Sequence, residues 1–130
     1  MAYYSIFPEK DTTLYSHPDR KDMNTGADEI LELVEEKATT GNVYYASRIL
    51  IKFKNTEIKD VIENKLSQII DPNHAKVSLN LYAGENKNLT QGHIIEAFPL
   101  SQSFEEGTER YTATPPSVST GSYQAANGAT

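Results

Sequence analysis

The chain has 130 residues, the usual size of one domain, so we expect a single hydrophobic core. Only 38% of the residues are hydrophobic and there is no Trp, so this core must be small, and a deep, enclosed active site is not expected. The net charge of -6 argues against a nucleic-acid partner, because binding to phosphates requires clustered Lys and Arg. The absence of cysteine excludes disulfides, thiolate metal ligands and cysteine nucleophiles.

The sequence also argues against a membrane partner. Residues 1–8 contain no basic segment followed by an apolar run, and no stretch of the chain is apolar for long enough to cross a membrane. We therefore predict a soluble protein made without a conventional export signal. The lack of cysteine does not narrow the compartment, since oxidising and reducing environments both tolerate a Cys-free protein.

The first third of the chain contains one predicted strand and one ambiguous segment. Residues 11–16 are rich in Thr and Tyr and end at a turn-forming cluster, which predicts a first strand. Asn24, Thr25 and Gly26 then form a polar stretch typical of a break between elements. Residues 29–35 fit either one face of a helix or a short strand, and we place the strand slightly ahead.

The middle of the chain shows the clearest patterns. Residues 47–54 form the strongest predicted strand, with one apolar face and one largely polar face, so we expect it to be central in its sheet. The apolar face consists of Ile49, Ile51 and Phe53. Residues 56–69 then carry apolar side chains at helical spacing behind an Asn-Thr start that can cap the first turn, which predicts a helix.

Two further strands are predicted after this helix. In residues 76–82 the apolar and polar residues alternate strictly, which places Val77, Leu79 and Leu81 on the core face. Residues 93–100 supply another strand, whose Pro99 indicates an edge position or the end of the strand. The expected count is five or six strands with one inserted helix, which makes the protein mainly β.

The C-terminal residues differ in composition from the rest. Residues 112–130 contain no charged residue and consist mostly of Thr, Ser, Ala, Gly and Pro, so they cannot bury a core of their own. We therefore divide the chain into a β-sandwich module, 1–111, and an extended tail, 112–130, ordered by a partner. The predicted contact residues are Tyr111, Pro115, Pro116 and Tyr123.

No catalytic or metal-binding pattern stands out. The closest approach to a metal site is His17 with Asp19 and Asp22, but Asp after Pro is ordinary turn chemistry. No Gly-x-Ser-x-Gly elbow and no phosphate-binding Gly-rich loop occurs. We therefore predict a protein that is not an enzyme and that uses no cofactor or metal. The eight tyrosines leave sugar stacking open as an alternative, notably at Tyr3-Tyr4, Tyr44-Tyr45 and Tyr82.

Five short motifs follow one another in a recognisable order: Lys10–Tyr15, Asn24–Gly26, Ser47–Phe53, Ala75–Tyr82 and Ser101–Thr108. This order resembles the disaggregatase-related jelly-roll module often called the DNRLRE domain. The resemblance implies a jelly-roll-like antiparallel β-sandwich. Phe104 stands where that family usually has Trp, and its usual tryptophan-bearing last strand is replaced here by the neutral tail.

Residues 7–16 and 101–111 also look like segments of virion structural proteins from marine tailed phages, especially those of cyanobacteria. This resemblance covers about residues 3 to 111. It implies a structural subunit in the neck, tail or fibre apparatus, made in the host cytoplasm and located in the virion. The implied partners are other virion proteins and further copies of the chain in a symmetric homo-oligomer. A carbohydrate-binding module for host or glycan attachment is the alternative.

Overall fold

The computed structural model describes residues 3–66, 76–85 and 94–111. These residues contain a three-stranded antiparallel sheet and one helix of 12 residues. The strands are β1 (Pro8–Tyr15), β2 (Glu35–Lys37) and β3 (Tyr44–Phe53). The helix begins as α1 (Asn55–Asp60) and continues as a π-helical segment, Val61–Leu66.

Strand β3 lies between the other two, in the order β1-β3-β2. It pairs with β1 from Lys10 opposite Lys52 to Tyr15 opposite Ser47, with a bulge between Pro8 and Lys10. Both strands were expected from their composition and alternation, and both are confirmed. The central position predicted for the third strand is also confirmed.

Strand β2 is much shorter than the strand it joins. Its three residues pair only with residues 44–46 of β3. The strand predicted over 29–35 is therefore wrong except for its last residue, and the competing helix does not form either. Hydroxyl groups take the place of a ladder in this segment, because Glu32 N–H donates to Thr13 Oγ1 and Val34 N–H donates to Ser47 Oγ.

The outer edge of β1 is closed by side chains. The N–H of Asp11 donates to Glu106 Oε1 at 2.8 Å. The N–H of Thr13 donates to Thr25 Oγ1 at 3.0 Å, and that hydroxyl donates in turn to Thr13 C=O at 2.9 Å. Side-chain partners of this kind occupy the groups that another strand would need, so this edge is protected against further pairing.

Asn24 joins the loop after β1 to the C-terminal segment, which we define as residues 104–111. Its side-chain Nδ2 donates to Glu106 C=O at 2.6 Å, and its Oδ1 accepts from Glu109 N–H at 3.1 Å. The same oxygen accepts from Gly26 N–H at 3.2 Å. We call this set of bonds the Asn24 junction. Asn24 itself is only 1% exposed, so the bonds replace water that the buried amide cannot reach.

The core of the described residues is small, and half of its members are polar. Four hydrophobic side chains are buried, namely Tyr15, Met23, Val61 and Phe104. Four polar residues are equally buried, namely Thr12, Thr13, Asn24 and Thr25. The segments are therefore joined by hydrogen bonds as much as by apolar contact.

The helix matches its prediction only in part. It starts at Asn55, one residue before the predicted start, and Lys54 occupies the cap without a side-chain hydrogen bond, so the expected Asn-Thr cap is wrong. Val61 is its only buried residue among those described. Residues 67–69 of the predicted helix lie outside the described residues.

The two strands predicted after the helix are wrong for the residues that the structure describes. Residues 76–82 and 94–100 belong to no strand, and the expected core face of Val77, Leu79 and Leu81 is exposed. Alternation marks a strand only where a neighbour supplies both hydrogen bonds and cover. Residues 76–82 and 94–100 have neither in the described part of this chain. His93, the loop at 86–92 and the tail lie outside it.

Removal of the Asn24 side chain is expected to destabilise the fold strongly. Asn24→Ala leaves the N–H of Glu109 and the C=O of Glu106 without their partner, at a cost of about 2–4 kcal/mol. Urea denaturation followed by circular dichroism measures this loss. Asn64→Ala is the control, because that amide bonds an exposed Asp60 carboxylate, and it should change the free energy of unfolding by less than about 0.5 kcal/mol. Equal effects would contradict the role of the junction.

A pair of glycines tests the closeness of the contact at Asn24. Gly41 and Gly107 share a φ of +84°, but a Cβ at Gly107 would overlap the Asn24 amide, whereas one at Gly41 would meet nothing within 4 Å. Gly41→Ala should therefore cost only the left-handed conformation, about 1 kcal/mol. Gly107→Ala should lower the free energy of unfolding by about 2 kcal/mol more. Thermal and urea midpoints measure the stability of both variants. An equal loss in Gly41→Ala and Gly107→Ala would contradict close packing between Gly107 and Asn24.

Candidate interaction surface

Apolar side chains of two segments face solvent. In residues 76–82, Val77 is 91% exposed and Tyr82 is 94% exposed, and Leu79 and Leu81 are about half exposed. In residues 94–100, the large apolar side chains are likewise exposed, namely Ile94, Ile95, Phe98 and Leu100. Scattered single apolar residues on a surface are ordinary, but eight within two short segments are typical of a surface that binds a partner.

The segment 94–100 leads directly into a fixed point of the fold. Phe104 is only 3% exposed, and its C=O accepts a 2.7 Å hydrogen bond from Lys10 Nζ. The same ammonium group lies 5.4 Å from the centre of the Phe104 ring, within cation–π distance. The exposed segment therefore ends at Leu100, four positions before a rigid anchor at the edge of β1.

Tyr111, the first predicted contact residue, lies at the end of the C-terminal segment. Its N–H donates to Asp28 Oδ2 at 3.0 Å, and its ring packs edge-on against Tyr15 with centroids 5.7 Å apart. Its neighbour Arg110 donates to Glu29 Oε2 at 2.6 Å. The ring is half exposed, so one side of it is available to a partner. Pro115, Pro116 and Tyr123 lie outside the described residues.

Tyr15 forms the buried side of the same region and bonds the exposed Glu32. The Tyr15 hydroxyl donates to Glu32 Oε2, and burial together with this carboxylate raises the pKa of the phenol above its ordinary value. Arg20 pairs with Glu36 beside them. The neighbouring depression, whose lining includes His17 and Tyr45, has a volume of about 10 Å³, which is the size of one water molecule.

The histidine singled out in the sequence belongs to a turn. Asp19 N–H donates to His17 Nδ1 at 3.2 Å, and the His17 ring packs edge-on against Tyr45 at 4.9 Å. The Asp19 carboxylate lies 3.9 Å from His17 Nδ1, and Asp22 has a partner of its own. In the described ranges, no three metal-ligating side chains lie together.

The tyrosines proposed for sugar stacking are distributed over several elements. Tyr44 lies at the start of β3 with Lys37 Nζ at 5.9 Å from its ring centre, and Tyr4 has Lys65 Nζ at 5.7 Å. Tyr45 packs on His17. The exposed rings of Tyr3, Tyr44 and Tyr82 are those a sugar could reach.

A second concave region lies on the helix. It measures about 310 Å³, is open to solvent, and is lined by Asn55, Ile58, Lys59, Ile62 and Glu63. Its described lining comes from one helix face and carries one acid and one base.

Two carboxyl groups meet where the C-terminal segment closes the edge of β1. Glu106 Oε1 accepts a hydrogen bond from the backbone N–H of Asp11, so the two carboxyl groups lie close to each other. Burial raises the pKa of the Asp11 carboxyl above its ordinary value, and the negative charge of Glu106 adds to the effect. The ionised form of Asp11 is therefore less stable in the folded protein than in the unfolded chain.

This raised pKa predicts a pH dependence of stability. Because folded Asp11 holds its proton more tightly, the free energy of unfolding falls as the pH rises from about 3.8 through the raised pKa. Asp11→Asn removes the charge and should stabilise the protein at neutral pH by less than about 1 kcal/mol, since solvent screens a partly exposed carboxyl. Below pH 3.8 the gain should vanish. Urea midpoints at both pH values measure this gain in stability, and Glu9→Gln, at an exposed position, is the control. A gain of equal size at both pH values would contradict the charge as its cause.

Several residues that shape this region were not predicted from the sequence. Asn24 and Gly26 were noted only as a break between elements, and Gly107 only as part of a family-like motif. A signal was present, because an Asn followed by a Gly often binds nearby backbone groups. What the sequence does not show is that the partner backbone lies more than 80 residues further along, at Glu106.

The described residues contain no helix that is both long and apolar enough to span a membrane. Comparisons with family models, curated proteins and solved structures found no match to this chain.

Proposed function

We propose that this protein is a non-catalytic structural subunit that becomes part of a larger assembly. The observation that supports it best is the exposure of the large apolar residues in segments 76–82 and 94–100. Burial of apolar surface stabilises by about 25 cal/mol per Å². A chain with a core of this size gains much by covering these segments with a partner.

The position of segment 94–100 supports the same proposal. It is attached at one end to Phe104, which is buried, and the Asn24 junction holds the residues that follow. A binding segment fixed at its base loses less conformational entropy on association than one in a long free loop. The segment is therefore suited to pair with another protein.

We propose that the assembly is the virion of a tailed phage, with the subunit in its neck, tail or fibre. This part rests on the resemblance of residues 7–16 and 101–111 to virion structural proteins. A complete jelly roll has about eight strands, and three are present in the described residues. Segments 76–82 and 94–100 would add strands once a partner supplies their hydrogen bonds.

The uncharged tail, 112–130, is the second proposed contact with neighbouring subunits. It follows directly on Tyr111, which is held by Asp28 and by the Tyr15 ring. Pro115, Pro116 and Tyr123 would give it rigid and aromatic contact points. The tail is thereby attached to the folded module at a defined place.

Removal of the tail separates folding from assembly. A chain that ends at Tyr111 should keep the thermal midpoint of the full protein, because the Asn24 junction and the sheet remain, but should no longer enter the assembly. Particle reconstitution followed by gel analysis measures incorporation. A variant with the tail sequence shuffled tests whether order or only composition matters. Normal incorporation of the shortened chain would overturn the role of the tail.

The virion assignment has its own test. Mass spectrometry of particles purified from a lysate that expresses the chain should find it in stoichiometric amount with the other structural proteins. Its presence in the lysate but not in washed particles would overturn this assignment, while leaving open an assembly of another kind.

Glycan attachment is the second candidate, and the exposed rings of Tyr44 and Tyr82 favour it. A glycan array with the purified protein tests it, with Tyr44→Ala and Tyr82→Ala as variants. Binding that both variants lose would support attachment. An array without binding at millimolar ligand would remove this candidate.

A further inference from the structure

We propose that the free edge of β3 binds residues Ile94 to Phe98 of a second copy of this chain as an additional strand. This inference rests on the proposed function and names the partner and the site of contact. It follows from four properties: the direction of the β3 backbone groups, the short reach of β2, the blocked edge of β1 and the charge of the segment.

The backbone of β3 shows which groups face this edge. Ala46 C=O accepts from Ser16 N–H, so residue 46 is directed toward β1, whereas Ser47 N–H donates to Val34 C=O on the opposite side. Directions alternate along a strand. The N–H and C=O groups of Ile49 and Ile51 therefore face away from β1, on the edge where β2 lies.

That edge is covered only at its beginning. Strand β2 pairs with residues 44–46 of β3, and Val34 adds one bond at Ser47. Beyond this point, no described residue bonds the backbone groups of Ile49 and Ile51. The free stretch from Ile49 to Phe53 is five residues long, which matches the five residues from Ile94 to Phe98.

The opposite edge of the sheet cannot serve as the acceptor. The backbone of Asp11 and Thr13 is already bonded by Glu106 and Thr25. An added strand is therefore expected at β3, where the N–H and C=O groups of the backbone can pair with an extended segment.

Charge favours segment 94–100 over segment 76–82 as the incoming strand. Lys52 and Lys54 give the end of β3 a positive charge, and Glu96 lies in the middle of the incoming residues. Segment 76–82 carries Lys76 and no acid, so it would be repelled. Pro99, which lacks an N–H, falls just after the five paired residues and ends the strand.

A second copy is the partner because each chain carries both halves of the contact. The donating segment and the accepting edge lie at different places on the same polypeptide, so one chain can donate to the next, in a head-to-tail contact. An aromatic side chain such as Phe98 buries about 150–250 Å². Ile94 and Ile95 add further apolar area to the ladder bonds of this contact.

The test is a proline in the donor segment. Ala97 is exposed and lies in no strand, so Ala97→Pro should leave the monomer fold and its thermal midpoint unchanged. It should prevent strand addition, because the proline ring fixes φ near about −65°, far from the roughly −140° of an antiparallel strand, and also restricts the backbone of the residue before it. Ala97→Gly keeps the backbone N–H and is the matched control. Sedimentation velocity over a range of concentrations of the full chain should show oligomers for the wild type and Ala97→Gly, and monomer for Ala97→Pro.

Amide hydrogen exchange locates the contact. Exchange at Ile49 and Ile51 should be at least about tenfold slower in the wild-type oligomer than in Ala97→Pro. Glu96→Lys should also weaken association, and Glu57→Lys on the exposed face of α1 should not.

The possible results have distinct meanings. A wild-type chain that stays monomeric at high concentration overturns the second copy as partner. An Ala97→Pro chain that still forms oligomers, or equal exchange at Ile49 and Ile51, overturns the proposed donor or acceptor. In all these cases the presence of the chain in purified particles remains a separate test of the proposed function.

Discussion

The fold depends on one buried amide. Asn24 binds the backbone of Glu106 and Glu109 from a loop that lies more than 80 residues earlier in the sequence. This junction acts together with the bonds that Lys10, Asp11 and Asp28 make to the C-terminal segment, and the whole set fixes that segment on the sheet. Gly107 belongs to the same constraint, because only a residue without a side chain allows the backbone to approach this amide so closely.

The same junction makes the two edges of the sheet unequal. It holds Glu106 against β1, where the Glu106 carboxylate accepts the backbone N–H of Asp11. Burial, together with the negative charge of Glu106, raises the pKa of the Asp11 carboxyl at this edge. The β3 edge receives no such cover beyond Ser47 among the described residues. A sheet with one protected and one available edge adds strands in one direction only, which favours ordered assembly over indefinite aggregation.

Polar residues form half of the buried core among the residues that the structure describes. Hydrogen bonds specify how the segments meet but contribute only about 1 kcal/mol each. The exposed apolar residues of 76–82 and 94–100 represent stabilisation that the described chain does not use. In the proposed assembly, the subunit would gain further stability when its neighbours cover these segments.

The sequence by itself determined the elements whose signal is local. The Thr and Tyr of β1, the alternation of β3 and the helical spacing after Asn55 are each visible within one short segment of the sequence. The tertiary structure decided the features that depend on residues far away in the sequence. Residues 76–82 alternate as well as β3 does, yet they form no strand in the described part of the chain, because alternation states which side chains share a face and not whether another backbone lies alongside. In the same way, Asn24 is a turn residue by composition. Only the fold shows that the backbone it binds belongs to Glu106.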